Sequence, residues 1–308
     1  MKLNKLTKKM TLWIAELPFL KKYMHNQGYQ STASRFVAGK NLDESIVKVK
    51  ELRTRGFEVT LDLLGESVTT EYEAKSACVQ IAVMMNELKK HDISAYISLK
   101  LTQLGLCVNE GLCERNMRKL VTIAKQNHQF IRIDMEDASV TEKTLQLFYR
   151  LVEEFGTEHI GIVVQSCLFR TRKDLETLIE LNANVRVVKG AYLEPKEVAY
   201  SKKSAVDQAY VDAVKSLLSS GNYAAIATHD EKIIFELIDF IHKHHIPSTQ
   251  FEFQMLYGIA TKLQHELLQN GFCVRVYTPY GEHWYPYFTR RLAERPANVW
   301  FVMKNFIR

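Results

Sequence analysis

The sequence predicts an α/β chain folded as a (β/α)8 TIM-like barrel that follows an N-terminal helical arm. Three observations carry that reading. From about residue 57 eight short β-branched runs recur, their starts 25 to 39 residues apart, which is the length of one strand-plus-helix unit. Amphipathic stretches such as EYEAKSACVQIAVMMNELKKH and FELIDFIHKHH lie between them. Only 6 prolines and 13 glycines punctuate the 308 residues, and no Pro/Ser-rich linker divides them. Alternation of this kind suits a closed barrel, with a doubly wound open sheet as the runner-up. Residues 1–56 read as an arm or lid and residues 57–308 as the barrel.

In chain order, VTLDLLG (59–65) is the first strand and AYISLKL (95–101) the second, which delivers Lys100 at its end. The third, FIRIDME (130–136), ends in Asp134, with Glu136 and Asp137 behind it; the fourth, IGIVVQS (160–166), ends in Gln165. VRVVKGA (185–191) brings Lys189, and AAIATHD (224–230) brings Thr228, His229 and Asp230. TQFEFQML (249–256) carries Gln254 and VRVYTPYG (274–281) carries Tyr277. Strand C-termini of a barrel converge on one mouth, so polar residues at seven of these ends are expected to line a site.

Composition excludes several classes. At 46% hydrophobic and 25% charged, the chain is neither fibrous nor wholly disordered. The five cysteines are odd in number, widely spaced and free of CxxC, which argues for reduced thiols in a cytosolic protein. No run approaches the roughly 18 apolar residues of a membrane span, and Leu12 to Leu20 lacks the features of a signal peptide. Residues 1–22 hold six lysines against Glu16 alone, so five of the six net positive charges sit there. A nearly neutral body speaks against nucleic acid as a partner.

Three constellations stand out, each with a bland alternative. In WYPYFTRRLAER (284–295) a helix places Tyr287, Arg290, Arg291 and Glu294 on one broad face. Paired arginines can seat a carboxylate, or they can form a solvated ion pair. Lys100 and Asp134 sit at the mouths of neighbouring strands, as a substrate contact held by its acid or as a structural rim pair. In VRVVKGAYLEP, Arg186 needs a buried partner, and Lys189-Gly190-Ala191 is either a phosphate-approaching turn or an ordinary tight one. GxGxxG after a strand, GxxxxGK[ST], HEXXH and GxSxG are all missing, and no metal is expected.

Taken in order, SLKLTQLGL, IRIDMED, VVQSCLFRT, RVVKGAYLEP, ATHD, FEFQMLYG, VRVYTPYGEHWYPY and TRRLAERPANV resemble the proline dehydrogenase family in its monofunctional bacterial form, from about Val59 to Phe301. The resemblance implies a distorted barrel that binds FAD without a Rossmann fingerprint. It also implies oxidation of L-proline to Δ1-pyrroline-5-carboxylate, with electrons passed to a membrane quinone. By motif, Lys100, Arg290 and Arg291 match the carboxylate seat, with Glu294 orienting the arginines. Asp134 and Arg186 match the active-site pair. Met135, Gln165, Lys189, Gly190, Ala191, Thr228 and His229 match flavin-binding positions. Tyr192, Leu256, Tyr277 and Tyr287 match the walls around the pyrrolidine ring.

Two other functions share the architecture: a flavin barrel of the methylenetetrahydrofolate reductase type, and a non-catalytic proline or flavin sensor. The resemblance leaves open whether a downstream pyrroline-5-carboxylate dehydrogenase docks. It covers the arm poorly. There Leu3, Leu6, Met10, Trp13, Ile14 and Leu17 form one helical face ended by Pro18, flanked by lysines. Such a helix suits an anionic membrane surface, or packs on the barrel or another subunit.

Overall fold

The computed structural model describes residues 33–65 and 67–294, the last five of them by their backbone alone. Its strands are β1 Glu58–Leu63, β2 Tyr96–Leu99, β3 Ile131–Ile133, β4 Ile160–Gln165, β5 Asn184–Val188, β6 Ala224–Ala227, β7 Phe251–Leu256 and β8 Val274–Tyr280. Each pairs in parallel with the next, and β8 pairs with β1, closing the barrel. Helix α1 (Leu42–Thr54) precedes β1. Helices α2 (Glu71–Lys90), α3 (Glu110–Asn127), α4 (Ala138–Phe155), α5 (Thr171–Glu180), α6 (Lys203–Ser219), α7 (Glu231–Lys243) and α8 (Thr261–Gln269) follow β1 to β7 in turn. Helix α9 (Trp284–Glu294) follows β8.

Side-chain caps start several of these helices. Thr70 and Glu73 cap α2 reciprocally, the Asn109 side chain accepts from the Leu112 N–H at α3, and Asp137 accepts from the Ser139 N–H at α4. Each cap satisfies a backbone donor that a helix start would otherwise leave open.

Residues 42–54 fall within the arm read from the sequence, yet as α1 they pack on β1 and β8 and bury Ile46, Val49 and Leu52 in the main core. The reason lies in α9. Its Trp284, Tyr287 and Phe288 are buried against Ala33, Phe36, Val37, Leu64 and Ile259, a cluster at the C-terminal ends of β1 and β7. The helix after β8 therefore lies over the mouth, and α1 takes the flank of β8 that it leaves. The lysine-flanked helix expected at residues 3–17 lies outside the described residues. No helix among the described residues is long and apolar enough to cross a membrane.

Strand register decides what faces inward. Asp62 pairs with Ser98, and Thr60 with both Tyr96 and Tyr277, so alternate residues of β1, β2 and β8 share the interior. At the N-terminal end Arg275 donates through Nε to both Glu252 carboxylate oxygens, at 2.8 and 3.0 Å, and through Nη1 to the Val59 carbonyl at 3.0 Å. Its guanidinium lies 3.5 Å from the centre of the Tyr96 ring. Burial pushes the Glu252 carboxyl up, but the charge and hydrogen bonds of Arg275 outweigh it and hold the group below its usual range. Gly161 gives Arg132 room, since a Cβ there would meet the Asn184 carbonyl at 2.5 Å and the Arg132 guanidinium at 2.6 Å.

Replacing Arg275 by Met strands a buried carboxylate and is expected to cost about 3–5 kcal/mol in urea unfolding at neutral pH. The sign of its pH dependence follows from Glu252. Its depressed folded pKa stabilises wild type above the unfolded carboxylate pKa, a gain lost as pH falls, so the gap to the variant narrows on acidification. A loss under about 1 kcal/mol, the size of an exposed pair, would contradict this role.

Candidate active site

At the opposite end, the strand termini bring Lys100, Asp134, Arg186 and Tyr277 together. Asp134 Oδ1 accepts from Arg186 Nη1 at 2.7 Å and from Ser98 Oγ at 2.7 Å, while Arg186 Nη1 also reaches Ser98 Oγ at 3.3 Å. The Tyr277 hydroxyl lies 2.8 Å from Asp134 Oδ2, and the guanidinium of Arg186 sits 5.4 Å from the centre of the Tyr277 ring. Lys100 Nζ is 3.9 Å from Asp134 Oδ2 and 3.5 Å from Asp62 Oδ2. Arg186 is 4% exposed, yet its Nε and Nη2 are buried without a hydrogen-bond partner among the described residues. A buried charge donor left open in this way is costly, which makes it a mark of an acceptor that the described residues do not supply.

Sequence reasoning missed Asp62 and Ser98. Asp62 is 1% exposed, and its carboxylate lies 2.7 Å from the Tyr277 hydroxyl. A signal was present: in VTLDLLG the acid interrupts an apolar run at a position that alternation turns inward. Burial pushes the Asp62 carboxyl up, Lys100 opposes this, and the charge of Asp134 adds to it. Burial, followed by Asp134 and Asp62, also raises the Tyr277 phenol well above its ordinary value, so it keeps its proton.

The remaining positions form two further groups. Loops after β4 and β5 are joined by Cys167 N–H to the Lys189 carbonyl at 3.0 Å, and Gln165 Nε2 donates to the Glu136 carbonyl at 2.7 Å. Lys189 Nζ donates to Asp207 Oδ1 at 2.6 Å and Asp230 Oδ2 at 2.8 Å. Burial opposes ionisation of Asp230, but Lys189 and Lys203 prevail and bring it down to about 2. Gly190 has φ +102°, and a Cβ there would press on Cys167 Sγ, so a side chain at this turn is strained. Ala191 and Tyr192 continue the same loop, the first exposed and the second partly buried.

After β6 and β7, the Leu256 N–H donates to His229 Nε2 at 3.0 Å, which leaves Nδ1 as the donor edge of the ring. Thr228 Oγ1 accepts from the Asp230 N–H at 3.1 Å, and Met135 is buried at the end of β3. Tyr287 lines a cavity of about 380 Å³ together with Leu64, Lys100, Gln103 and His283. Arg290, Arg291 and Glu294 lie on α9, and their side chains are outside the described residues.

The family described as Proline dehydrogenase matches residues 45–304. The chain belongs to the proline dehydrogenase family. It is 39% identical over 297 residues to Proline dehydrogenase 1 of Bacillus subtilis strain 168, covering 96% of this chain and 98% of that one. To Proline dehydrogenase of Deinococcus radiodurans it is 40% identical over 309 residues, 99% of each chain. Among solved structures, proline utilization A from Bdellovibrio bacteriovorus inactivated by N-propargylglycine matches with TM-score 0.80 and 26% identity over 85% of this chain. The present chain spans 32% of that longer protein.

Members of this family generally carry a flavin. The mouth fits such a group on two observations: the open donors of Arg186, which suit an electron-rich ring edge, and the bare Gly190 turn, which allows close backbone approach. Gly190→Ala adds about 1–3 kcal/mol of backbone strain and a clash with Cys167. It is expected to weaken flavin retention about tenfold, read as the flavin-to-protein absorbance ratio after dialysis. Full retention would remove this turn from the cofactor site.

Proposed function

We propose that the protein oxidises L-proline to Δ1-pyrroline-5-carboxylate with FAD as its flavin and a quinone as final acceptor, the first step of proline degradation. The observation that supports this most is Arg186, a buried guanidinium held by Asp134 whose Nε and Nη2 have no hydrogen-bond partner among the described residues. When bound, the flavin accepts the hydride that leaves proline C5. Everything else the chain supplies is placement and charge.

Met135, Gln165, Lys189, Gly190, Ala191, Thr228 and His229 hold the cofactor in this proposal. Arg186, fixed by Asp134, offers its positive charge where negative charge collects on the reduced ring. Lys100, Arg290 and Arg291 seat the proline carboxylate, with Glu294 orienting the arginine pair. Tyr192, Leu256, Tyr277 and Tyr287 wall the methylenes and keep water out. A ring clamped at its carboxylate and walled elsewhere is held in one pose, which contributes about 7–11 kcal/mol at best. The lysine-rich start of the arm, residues 1–56, would bring a cytoplasmic enzyme to the inner membrane face, where a lipid-soluble quinone resides. A downstream pyrroline-5-carboxylate dehydrogenase would take up the imine product.

The deciding experiment is the visible spectrum of the holoprotein under anaerobic conditions. L-Proline is expected to bleach the flavin and NADH is not; the reverse outcome would favour a reductase of the methylenetetrahydrofolate type. Substitution tests the seat. Arg290→Met or Arg291→Met removes one arm of a charge clamp worth about 2–5 kcal/mol. Either is expected to raise the KM for proline at least about tenfold with flavin content unchanged. A wild-type KM would misplace the carboxylate.

A further inference from the structure

The Tyr277 hydroxyl faces one carboxylate too many. Its oxygen lies 2.7 Å from Asp62 Oδ2 and 2.8 Å from Asp134 Oδ2. A phenol has one proton, and ionised carboxylates only accept. Were both acids charged, one of these two short contacts would set lone pair against lone pair with no hydrogen between them. A second proton must reside in the chain of three groups.

The surroundings say which group holds it. Asp134 has the Arg186 guanidinium and the Ser98 hydroxyl on Oδ1, both at 2.7 Å, so its charge is compensated. Asp62 Oδ1 is buried with no hydrogen-bond partner among the described residues. Among the described residues, the titratable groups facing Asp62 are Lys100, just after β2, Asp134, just after β3, and Tyr277 and Tyr280 of β8. Of these only Lys100 is positive, and its Nζ lies at 3.5 Å, the outer limit of a hydrogen bond. Burial, the largest influence, raises the Asp62 carboxyl; Lys100 and the contact with Tyr277 pull it down and the Asp134 charge pushes it up, and the balance is a raised group.

We propose that Asp62 stands in the resting protein as a neutral carboxylic acid that donates to the Tyr277 oxygen, so that Tyr277 in turn donates to Asp134. The chain of donors then runs one way, from β1 through β8 to the position just after β3. Asp62 is a positioning residue in this arrangement. It acts through Tyr277, whose hydroxyl satisfies Asp134 Oδ2 and leaves Oδ1 to hold Arg186 flat. Ionisation of Asp62 would make it compete for the single Tyr277 proton and loosen Arg186. The consequence for turnover rests on the proline reading above; the protonation of Asp62 does not.

The test uses the holoprotein with Asp62→Asn, which keeps a donor toward Tyr277, and Asp62→Leu, which does not. An infrared difference between wild type and Asp62→Asn at neutral pH is expected to show a carboxylic-acid carbonyl band, shifted in D2O and lost in the variant. A carboxylate band in its place would overturn the proposal. In anaerobic flavin reduction by proline, Asp62→Leu is expected to slow the rate about tenfold, and Asp62→Asn to recover most of that loss. Asp62→Asn, which has no ionising group at this position, is expected to move any alkaline limb of the rate upward. An Asn variant as slow as the Leu variant, or an alkaline limb unmoved, would mean that Asp62 works as a charge. If proline reduces the flavin of none of the three while the carbonyl band is present, the proline reading fails and the neutral acid stands.

Discussion

The mouth of this barrel is built around the ion pair of Asp134 and Arg186. A guanidinium that is 4% exposed costs several kcal/mol to desolvate unless an acid meets it. Asp134 meets it at 2.7 Å and holds Ser98 on the same oxygen. Through Tyr277 the pair reaches Asp62 as well, so one contact ties together side chains from β1, β2, β5, β8 and the position just after β3. Only a closed sheet brings five such strand ends within hydrogen-bonding distance. Ring closure is therefore a condition of the chemistry as well as of the fold.

A second constraint is the displacement of α9. A helix packed against the outer flank of β8 would leave the mouth open to water on that side. With its aromatic face buried over the ends of β1 and β7, α9 instead brings Tyr287 to the cavity that Lys100 lines. The outer surface of β8 is then covered by α1, whose Ile46, Val49 and Leu52 complete the core. The same exchange explains why the positions of Arg290, Arg291 and Glu294 belong at the mouth in the functional proposal. In such a site low dielectric strengthens every charge contact, so a roof matters energetically.

Much of this was legible in the sequence, and the exceptions have physical causes. All eight β-branched runs correspond to strands because parallel barrel strands are buried on both faces and so read as continuous apolar segments. Lys100, Asp134, Arg186 and Tyr277 could be picked out because polar side chains at such strands need a reason to be there. Asp62 escaped because it sits within VTLDLLG rather than at the end of the run, where polar residues were sought; the register with Ser98 confirms that it faces inward. Residues 42–54 read as part of an arm because nothing in their own pattern says which flank a helix will cover. That depends on α9, which lies more than 200 residues later in the chain.

Orientation of the Arg186 guanidinium, held on one edge by Asp134 and open on the other, is the claim from which the rest follows. It is tested most directly by the two-electron reduction potential of the bound flavin in wild type and in Arg186→Met. Losing a charged donor worth about 1.5–3 kcal/mol to the reduced ring should lower the potential by about 30–60 mV. A potential that does not move on this substitution would place the open donors of Arg186 away from the flavin.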